Sequence, residues 1–402
     1  MPFRTAISGL RAAMTDLNVI GNNVANAGTS GFKKSRAEFA DVYAASSLGV
    51  AGDTPGAGVN VARVAQQFGQ GTVAFTDNAL DLAINGNGFF ILEDSGGTVY
   101  SRAGAFGLDR EGYVVNAQDQ KLVAYTADAT GAVTGSTAPL LISTADIPAQ
   151  ASTAITLGLN LDASVTPPAV AFNPANAASY NNSTATTVYD SLGNTHIATT
   201  YYRKTGANTW ETYLYVDGSA VDGPDTLQFN SSGALVVPAG GTIASPSFTP
   251  SGGGAAMTLT LDYTAATQFG SAFSVNRLVQ NGFTTGKLSG LDVDKQGIVF
   301  ARYSNGQSQV LGQVALANFA NPQGLVPLGD NNWAETFAAG SALVSPPGTS
   351  NLGLIQAGAL EESNVDLSEE LVKMIVAQRN FQANAQVIQT ADQVTQSIIN
   401  IR

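Results

Sequence analysis

The sequence predicts a mainly β protein with α-helical termini, in which the terminal helices form a coiled-coil-like domain and an outer β domain is inserted into an inner one. Three observations support this fold class: a heptad-like apolar repeat near the N-terminus, a long C-terminal stretch without Gly or Pro, and short alternating runs between them. The 402 residues include 43 Gly and 15 Pro, a density that suits many turns. Only 12% of the residues are charged, so we expect an unusually uncharged surface.

The N-terminal helix is predicted from apolar residues that recur at intervals of three, four, three and seven, with Gly21 at the vacant position. Gly28 and Gly31 break this pattern, and residues 46–58 are rich in Ser, Gly and Ala. We therefore expect a loop or extended connecting segment over residues 31–70. The helical stripe consists of Ile7, Leu10, Met14, Leu17 and Val24.

The C-terminal helix is the longest predicted element. Asp366, followed three residues later by Glu369, has the form of a capping box, and neither Gly nor Pro occurs from there to Arg402. The apolar stripe of this helix is broad and is interrupted by polar residues such as Gln378. Its main positions are Leu371, Met374, Phe381, Ile388 and Ile398.

The chain between the helices consists of predicted strands separated by Gly, Asn and Asp turns. Two hairpin signatures, at residues 107–114 and 290–299, resemble each other and are interpreted as two halves of one domain. Between Leu122 and Asn276, nine acidic residues stand against two basic ones, a balance of −7 that indicates a separate inserted unit. The predicted domains are a helical terminal domain (1–30 and 364–402), a connecting segment (31–70), an inner β domain (71–144 and 285–363) and an outer β domain (145–284).

Composition argues against several classes of protein. The net charge of −12 disfavours nucleic acid as a partner. The absence of Cys removes disulfides, thiolate metal sites and cysteine nucleophiles. The N-terminus lacks the uninterrupted apolar region of a cleaved signal peptide, and no stretch reaches the roughly 18 apolar residues that a membrane span requires. We therefore expect neither a cleaved signal peptide nor membrane insertion.

No residue pattern predicts a catalytic, cofactor-binding or metal site. His196, the single histidine, lies at the start of a strand without a Gly-x-Ser-x-Gly elbow and is interpreted as an ordinary strand residue. Asp292 and Asp294 with Gly297 imitate the beginning of a calcium loop, but Tyr303 stands where the bidentate carboxylate belongs. This segment is therefore interpreted as a hairpin turn.

Two further patterns are equally weak. The Gly-rich segment at residues 85–88 continues into a strand rather than a helix, so it indicates a tight turn and not a phosphate loop. The neighbouring acids Glu93 with Asp94, and Glu361 with Glu362, are expected to be solvated, since a glycosidase needs carboxylates that face each other across a cleft. The sequence thus predicts a protein that is not an enzyme and binds no cofactor.

The terminal helices need burial on more than one side. Six apolar side chains contribute roughly 9 to 18 kcal/mol, whereas ordering about 25 residues costs nearer 38 kcal/mol. Residues 1–40 carry a net charge of +3 and residues 361–402 one of −3, so the ends are complementary. Either the helices pair and dock on their own β domains, or they assemble with other copies. The low-charge surface favours assembly, because few charges need desolvation.

Several segments resemble the flagellar rod and hook axial proteins of bacteria. The resemblance covers most of the chain, and the inserted domain and the length favour the hook branch over the shorter rod branch. Residues 187–196 are similar to a segment of the outer domain in that branch. The other matching segments are residues 8–13, 22–33, 80–90, 362–367 and 378–384.

This resemblance implies a structural subunit that polymerises into a curved, flexible tube, which joins rod to filament and transmits torque as a universal joint. The implied partners are other copies of the chain, rod proteins, the hook cap, the hook–filament junction proteins and the type III export apparatus. The implied location is extracellular, on the flagellum, after export without a cleaved signal peptide.

The resemblance also implies that the terminal helices contact neighbouring subunits. Two alternatives remain open: a distal-rod axial protein, and a secreted β-rich protein that acts on or binds carbohydrate. The implied interface residues are Ile7, Leu10, Met14, Leu17, Asn22, Asn23, Asn26, Leu371, Met374, Phe381, Ile388 and Ile398.

Overall fold

The computed structural model describes residues 2–42, 56–94, 96–128 and 130–400. Within these ranges a helix stands at each end of the chain and strands occupy the interior, which confirms the predicted fold class. Two compact units divide the chain, and unit 2 is an insertion in the sequence of unit 1. Unit 1 comprises Met1–Ser143, Gly290–Arg302 and Ser308–Arg402, and unit 2 comprises Thr144–Ser289 and Tyr303–Gln307. The finer division into four kinds of segment stays a prediction.

The elements follow the chain in three groups. The first group is α1 (Pro2–Ala25), β1 (Ser35–Asp41), β2 (Val59–Gln66), β3 (Val73–Phe75), β4 (Leu82–Asn85), β5 (Phe89–Asp94), β6 (Gly97–Ser101), β7 (Gly107–Leu108), β8 (Val114–Val115), β9 (Lys121–Ala127) and β10 (Val133–Pro139). The second is β11 (Ala154–Asp162), β12 (Asn182–Tyr189), β13 (Thr195–Gly206), β14 (Thr209–Val216), β15 (Ser219–Phe229), β16 (Leu235–Val237), β17 (Thr242–Ala244), β18 (Thr260–Asp262), β19 (Thr267–Phe269) and β20 (Ser274–Gln280). The third is β21 (Leu288–Val293), β22 (Ile298–Tyr303), β23 (Ser308–Val314), β24 (Leu316–Asn318), β25 (Val326–Gly329), β26 (Asn332–Ala334), β27 (Leu343–Ser345), β28 (Leu354–Ala357), β29 (Ala359–Glu361) and α2 (Leu367–Asn400).

An antiparallel sheet forms the body of unit 1, and thirteen of the described strands belong to it. Its main path runs β21-β22-β23-β9-β5-β6-β26-β25. Strand β9 joins the two halves of the unit, because it pairs with β23 from the second half and with β5 from the first. Strand β5 is buried on both faces, so its run of four apolar residues has no polar alternation. Phe89 of β5 packs edge-on against Trp333 of β26, with ring centroids 5.7 Å apart.

The two similar hairpin signatures form the same turn. In the first, Asp109 Oδ1 accepts a hydrogen bond from the backbone N–H of Tyr113 at 2.7 Å. In the second, Asp294 Oδ1 accepts one from the N–H of Ile298 at 2.8 Å. Asp292 pairs with Arg302 across β21 and β22. The acids of the calcium-like sequence are therefore engaged in a hairpin, as the sequence indicated.

The expected connecting segment contains regular structure. Strands β1 and β2 pair antiparallel, from Ser35 opposite Gln66 to Asp41 opposite Val59. Both strands contact α1, and the small buried side chains of Ala37 and Ala65 allow this approach. Because the segment packs against α1, it forms a pair of antiparallel strands in place of the expected loop. Residues 43–55, within the same segment, lie outside the described residues.

Unit 2 is a β sandwich whose two sheets hold five described strands each. One sheet runs β12-β13-β14-β15-β16, and the other runs β17-β18-β11-β19 with β20 beside β11. Strand β14 alternates between buried and half-buried residues, so Trp210 and Leu214 face the core. Leu157 and Leu159 of β11 meet them in the same hydrophobic cluster. This unit contains most of the acidic stretch identified in the sequence.

Candidate assembly site on the paired terminal helices

The two helices lie antiparallel against each other. Near the C-terminal end of α1, Asn23 Nδ2 donates a hydrogen bond to Glu370 Oε2 (3.0 Å), in the first turn of α2. Two heptads earlier along α1, Gly9 lies so close to Asn384 that an added Cβ would stand 2.5 Å from the amide Oδ1. The sequence number rises along one helix as it falls along the other, so the N-terminal end of α1 lies beside the C-terminal half of α2.

The face of α1 that contacts α2 consists of small and polar residues and one larger apolar residue, Ile20. Its positions repeat at intervals of three and four, and its aliphatic members are almost fully buried. Burial raises the pKa of the Asp16 carboxyl, and the negative charge of Glu370 on α2 adds to this effect. Small side chains let the two helix axes approach closely. This inner face of α1 comprises Ala6, Gly9, Ala13, Asp16, Ile20 and Asn23.

The apolar stripe predicted for α1 lies one residue later, about 100° around the helix. Met14 is 57% exposed, and Ile7, Leu10 and Leu17 are half-buried. Ile7 lines a small cavity beside β2 together with Val59. The residues of the predicted stripe thus lie beside the inner face of α1 and not within it.

The face of α2 that contacts α1 repeats at intervals of four and three. Ala377 is buried at its centre, and Met374, Phe381 and Ile388 are half-buried. Three residues from the predicted stripe of α2 thus share a face with the intrachain contacts. This inner face of α2 comprises Glu370, Met374, Ala377, Phe381, Asn384, Ile388 and Ala391.

A second apolar surface on α2 lies outside its inner face and is exposed. Between 45% and 62% of each of its side chains is accessible to solvent. Such a concentration of exposed aliphatic residues on one helix indicates a surface that another protein covers. We call this set the outer face of α2; it comprises Leu371, Val372, Ile375, Val376, Val387 and Val394. The side chain of Ile398 lies outside the described residues.

The end of the helix pair near Phe3 contains an open apolar groove. The helix α2 has 34 residues and α1 has 24, so α2 extends past the beginning of α1. The groove has a volume of about 860 Å³ and lies between Phe3 of α1 and the side chains of Val387 and Val394 of α2. Phe3 is 49% exposed. The pair therefore leaves apolar surface uncovered at this end as well.

The three predicted asparagines have different roles. Asn23 is 1% exposed; besides its bond to Glu370, it exchanges two hydrogen bonds with the backbone of Ser35, at 2.8 and 2.9 Å. Asn26 Nδ2 donates to the carbonyl of Asn22, at 2.9 Å, and so closes the end of α1. Asn22 is exposed. Only Asn23 joins the two helices and the strand that follows.

A cluster of buried charges, which we call the terminal clasp, fixes the bases of both helices to the β sheet. Lys33 Nζ contacts Glu361 Oε1 at 2.6 Å, and Arg102 Nη1 contacts Glu361 Oε2 at 3.1 Å. The backbone carbonyls of Gly69 and Gly86 each accept one further hydrogen bond, from Lys33 and Arg102 respectively, at 2.9 and 2.8 Å. The clasp thus connects the segment after α1, strand β29 before α2, and the turn after β6.

Burial dominates the electrostatics of the clasp. It lowers the pKa of Lys33 and of Arg102, and the carboxylate of Glu361 partly opposes this in both cases. The expectation that Glu361 is solvated is wrong: its side chain is fully buried, because Gly71 N–H and two cations supply the hydrogen bonds that water would otherwise provide. Glu362 is exposed, as expected.

The start of α2 is fixed by two polar side chains. Asp366 Oδ1 accepts hydrogen bonds from the N–H groups of Ser368 and Glu369, at 2.8 and 3.1 Å, and caps the helix. The Glu369 carboxylate pairs with Lys34 (3.3 Å) and Lys373 (2.8 Å). These ion pairs on Glu369 connect the cap of α2 to the segment that follows α1.

His196 belongs to a polar cluster in unit 2. The ring is 3% exposed in β13, with Nδ1 2.6 Å from Asp217 Oδ2 and Nε2 3.5 Å from Asp190 Oδ2. Burial lowers the pKa of His196, but the hydrogen bonds and charges of Asp217 and Asp190 outweigh it and raise the pKa above 6.5. Among the described residues, no group of three His, Asp or Glu side chains is arranged to hold a metal ion.

Comparisons with known proteins cover nearly the whole chain. Four family models match: "Flagella basal body rod protein" at residues 3–33, "Flagellar hook protein FlgE/F/G D1 domain" at 83–160, "Flagellar basal body protein FlaE D2 domain" at 160–283, and "Flagellar basal body rod FlgEFG protein C-terminal" at 356–401. The chain is 43% identical to the flagellar hook protein FlgE of Salmonella typhimurium and equally to that of Escherichia coli, over 100% of each chain. The chain belongs to the flagellar hook protein FlgE family.

More distant FlgE proteins also align over nearly their full length. The FlgE of Borreliella burgdorferi is 33% identical over 99% of this chain and 98% of its own. The crystal structure of Helicobacter pylori FlgE2 superposes with a TM-score of 0.55 at 14% identity, covering 72% of this chain and 100% of that chain. The structural match supports the fold. Because the full-length matches are to hook proteins, the secreted carbohydrate-binding alternative is not retained.

Membership in the FlgE family places the chain among structural proteins of the flagellum that associate with the basal body and with copies of themselves. Neither helix, within the described residues, has an apolar segment long enough to cross a membrane.

Proposed function

We propose that this chain is the structural subunit of a bacterial flagellar hook: it polymerises into a curved, flexible tube that couples rod to filament and transmits torque. The observation that carries the proposal is the outer face of α2, which a single chain leaves exposed on a helix whose base is firmly fixed. Helices that bury one face within the chain and expose a second apolar face are suited to assembly with further copies.

The proposed interface combines the outer face of α2 with the predicted residues of both helices. Leu371 and Met14 are exposed and can contact a neighbouring subunit directly. Three residues would contribute indirectly, by holding the two helices of one chain together: Met374, Phe381 and Ile388. Three more would lie beside this helix pair: Ile7, Leu10 and Leu17. Asn22 and Asn26 would make polar contacts at the clasped end, and Ile398 would contribute at the overhanging end.

The remaining parts of the proposal concern partners and location. The proposed partners are the rod proteins, the hook cap, the hook–filament junction proteins and the type III export apparatus. The proposed location is extracellular, on the flagellum, after export without a cleaved signal peptide. The FlgE family membership and the four matching family models support this assignment. The inserted unit 2 favours a hook subunit over a distal-rod protein.

The test is assembly of the purified full-length chain, observed by negative-stain electron microscopy. Wild-type protein should form short curved tubes, and Val376→Asp should form none, because it places a charge on the outer face of α2. Its monomer should keep the wild-type β-sheet signal in circular dichroism, since Val376 is 51% exposed. Gln378→Asp introduces the same charge at an exposed polar position of α2 and serves as the matched control. Normal tubes from Val376→Asp would contradict the proposal.

A further inference from the structure

The turn between β26 and β27 presents a fully exposed aromatic ring. None of the described residues shields Phe337 from solvent, and its accessibility is 105%. It lines a shallow groove of about 460 Å³ together with Glu335, Gly340 and Ser341. Exposed apolar residues surround the turn in sequence: Val326, Leu328, Leu343 and Val344.

The backbone holds this turn rigidly. Ala339, two residues after Phe337, is fully buried in the aromatic core of unit 1. Thr336 Oγ1 donates to the carbonyl of Gly324 at 2.5 Å, and Asn321 Nδ2 donates to the carbonyl of Ala338 at 3.0 Å. An aromatic side chain on a backbone that is already fixed loses only its own side-chain freedom on association. Phe337 therefore has the properties of a preformed binding anchor.

The surroundings of the turn determine which surface can approach it. No Lys or Arg occurs from residue 303 to residue 372, and the charged residues closest in sequence to Phe337 are Asp330 and Glu335. Glu335 accepts a hydrogen bond from Tyr100 at 3.1 Å. An apolar or basic surface can thus approach this turn without repulsion from like charges. The same chain offers exposed basic residues elsewhere, such as Arg4 and Arg11 of α1.

We propose that the Phe337 turn is an anchor that docks onto a second copy of this chain. The partner is a copy because the proposed hook function, on which this inference rests, requires each chain to contact other copies of itself. A tube without two-fold axes requires each contact to join two different surfaces. The Phe337 turn therefore inserts into a different surface of the neighbouring copy, and it acts in addition to the outer face of α2.

The test compares three full-length variants in the tube assembly assay. Phe337→Asp should lower the yield of tubes at least tenfold, whereas Phe337→Leu, which keeps an apolar side chain, should retain most of it. The thermal midpoint of the monomer should stay within about 1 °C of wild type in both, because Phe337 contributes no buried contact. Phe75→Asp changes another exposed phenylalanine of unit 1, 78% accessible, and is the matched control. Equal losses for the two aspartate variants would overturn the proposal.

A second readout uses the absence of cysteine from the chain. Phe337→Cys should react with a maleimide rapidly in the monomer and at least tenfold more slowly in tubes made from the purified variant alone. Equal rates would overturn the proposal, while wild-type tubes would still support the hook function. Protection only in hooks isolated from cells would show that another protein covers the turn and would also overturn it. Failure of wild-type protein to form tubes would overturn the hook function and this inference together.

Discussion

Glu361 is a single carboxylate that satisfies two buried cations. Its two oxygens face Lys33 and Arg102 separately, and a backbone N–H occupies a further acceptor site. Removing one partner from such a cluster costs more than the cluster itself contributes, because the remaining charges stay buried without compensation. The clasp is for this reason the most sensitive group of residues at the base of the helices.

We expect Glu361→Gln to destabilise unit 1 by about 3 to 5 kcal/mol, because Lys33 and Arg102 would remain buried without a counter-charge. The change in the free energy of unfolding is measured by urea denaturation, with hydrogen exchange of peptides that cover β29 as the readout. Glu362→Gln is the matched control: its side chain is exposed, and it should cost less than about 1 kcal/mol. A comparable loss in both variants would contradict the assigned role of the clasp.

The His196 cluster makes the stability of unit 2 depend on pH. The folded-state pKa of His196 lies above 6.5, so protonation stabilises the fold. This contribution is complete below about pH 6.5 and is lost as the pH rises through the folded-state pKa. The thermal midpoint of unit 2 should therefore fall as the pH rises above about 6.5 and passes through the folded-state pKa of His196.

The His196→Gln variant is the control for this pH dependence. The variant lacks the titrating group. Its thermal midpoint should therefore be lower than that of wild type at acidic pH, and it should depend less on pH over the same range. The measurement is the intensity of Trp210 fluorescence in a Trp333→Phe background, which reports on unit 2. An unchanged slope in His196→Gln would assign the effect to another group.

The helix pair is held in register by one polar side chain at its clasped end. Asn23→Ala should destabilise the pair by about 1 to 3 kcal/mol, because the N–H of Ser35 and the Glu370 carboxylate lose a buried partner. Hydrogen exchange of peptides from the first three turns of α2 measures the loss. Asn22→Ala removes the adjacent exposed asparagine and should change exchange little. If both variants exchanged alike, helix propensity rather than the buried bonds would explain the result.

Local sequence predicted the elements whose signals are contained in consecutive residues. Asp366 marked the start of α2, which begins at Leu367, and the Asp109 and Asp294 turns were recognised from their shared pattern. The pair β1 and β2 was missed, because the strands are separated by a long segment and α1 covers their apolar side. The inner face of α1 was missed as well: Ala6, Gly9 and Ala13 give a weak hydrophobic signal although they pack closely.

The candidate site was only partly accessible from the sequence. Lys33, Arg102 and Glu361 are separated by scores of residues, so no spacing rule brings them together, and only the fold does so. The helical residues were recognisable because apolar periodicity needs no knowledge of the partner. That same periodicity could not distinguish the face used within the chain from the face that the chain leaves exposed.

At the scale of the molecule, each unit has its own aromatic core. Trp210 lies in the core of unit 2 and Trp333 in that of unit 1. Each Trp→Ala substitution should cost about 3 to 5 kcal/mol in its own unit. Calorimetry should show two transitions, of which Trp210→Ala lowers one and Trp333→Ala the other. A single transition that moves equally in both variants would show that the units unfold together.

The terminal clasp has a mechanical consequence. Buried ion pairs and Asn23 fix one end of the helix pair, whereas the end near Phe3 consists of an open groove and an overhanging helix. Such an arrangement is a cantilever, a beam that is built in at one end and free at the other. A sideways load on the free end bends the beam and produces its largest moment at the support. The strongest contacts of the pair thus lie where a torque applied to the helices would concentrate.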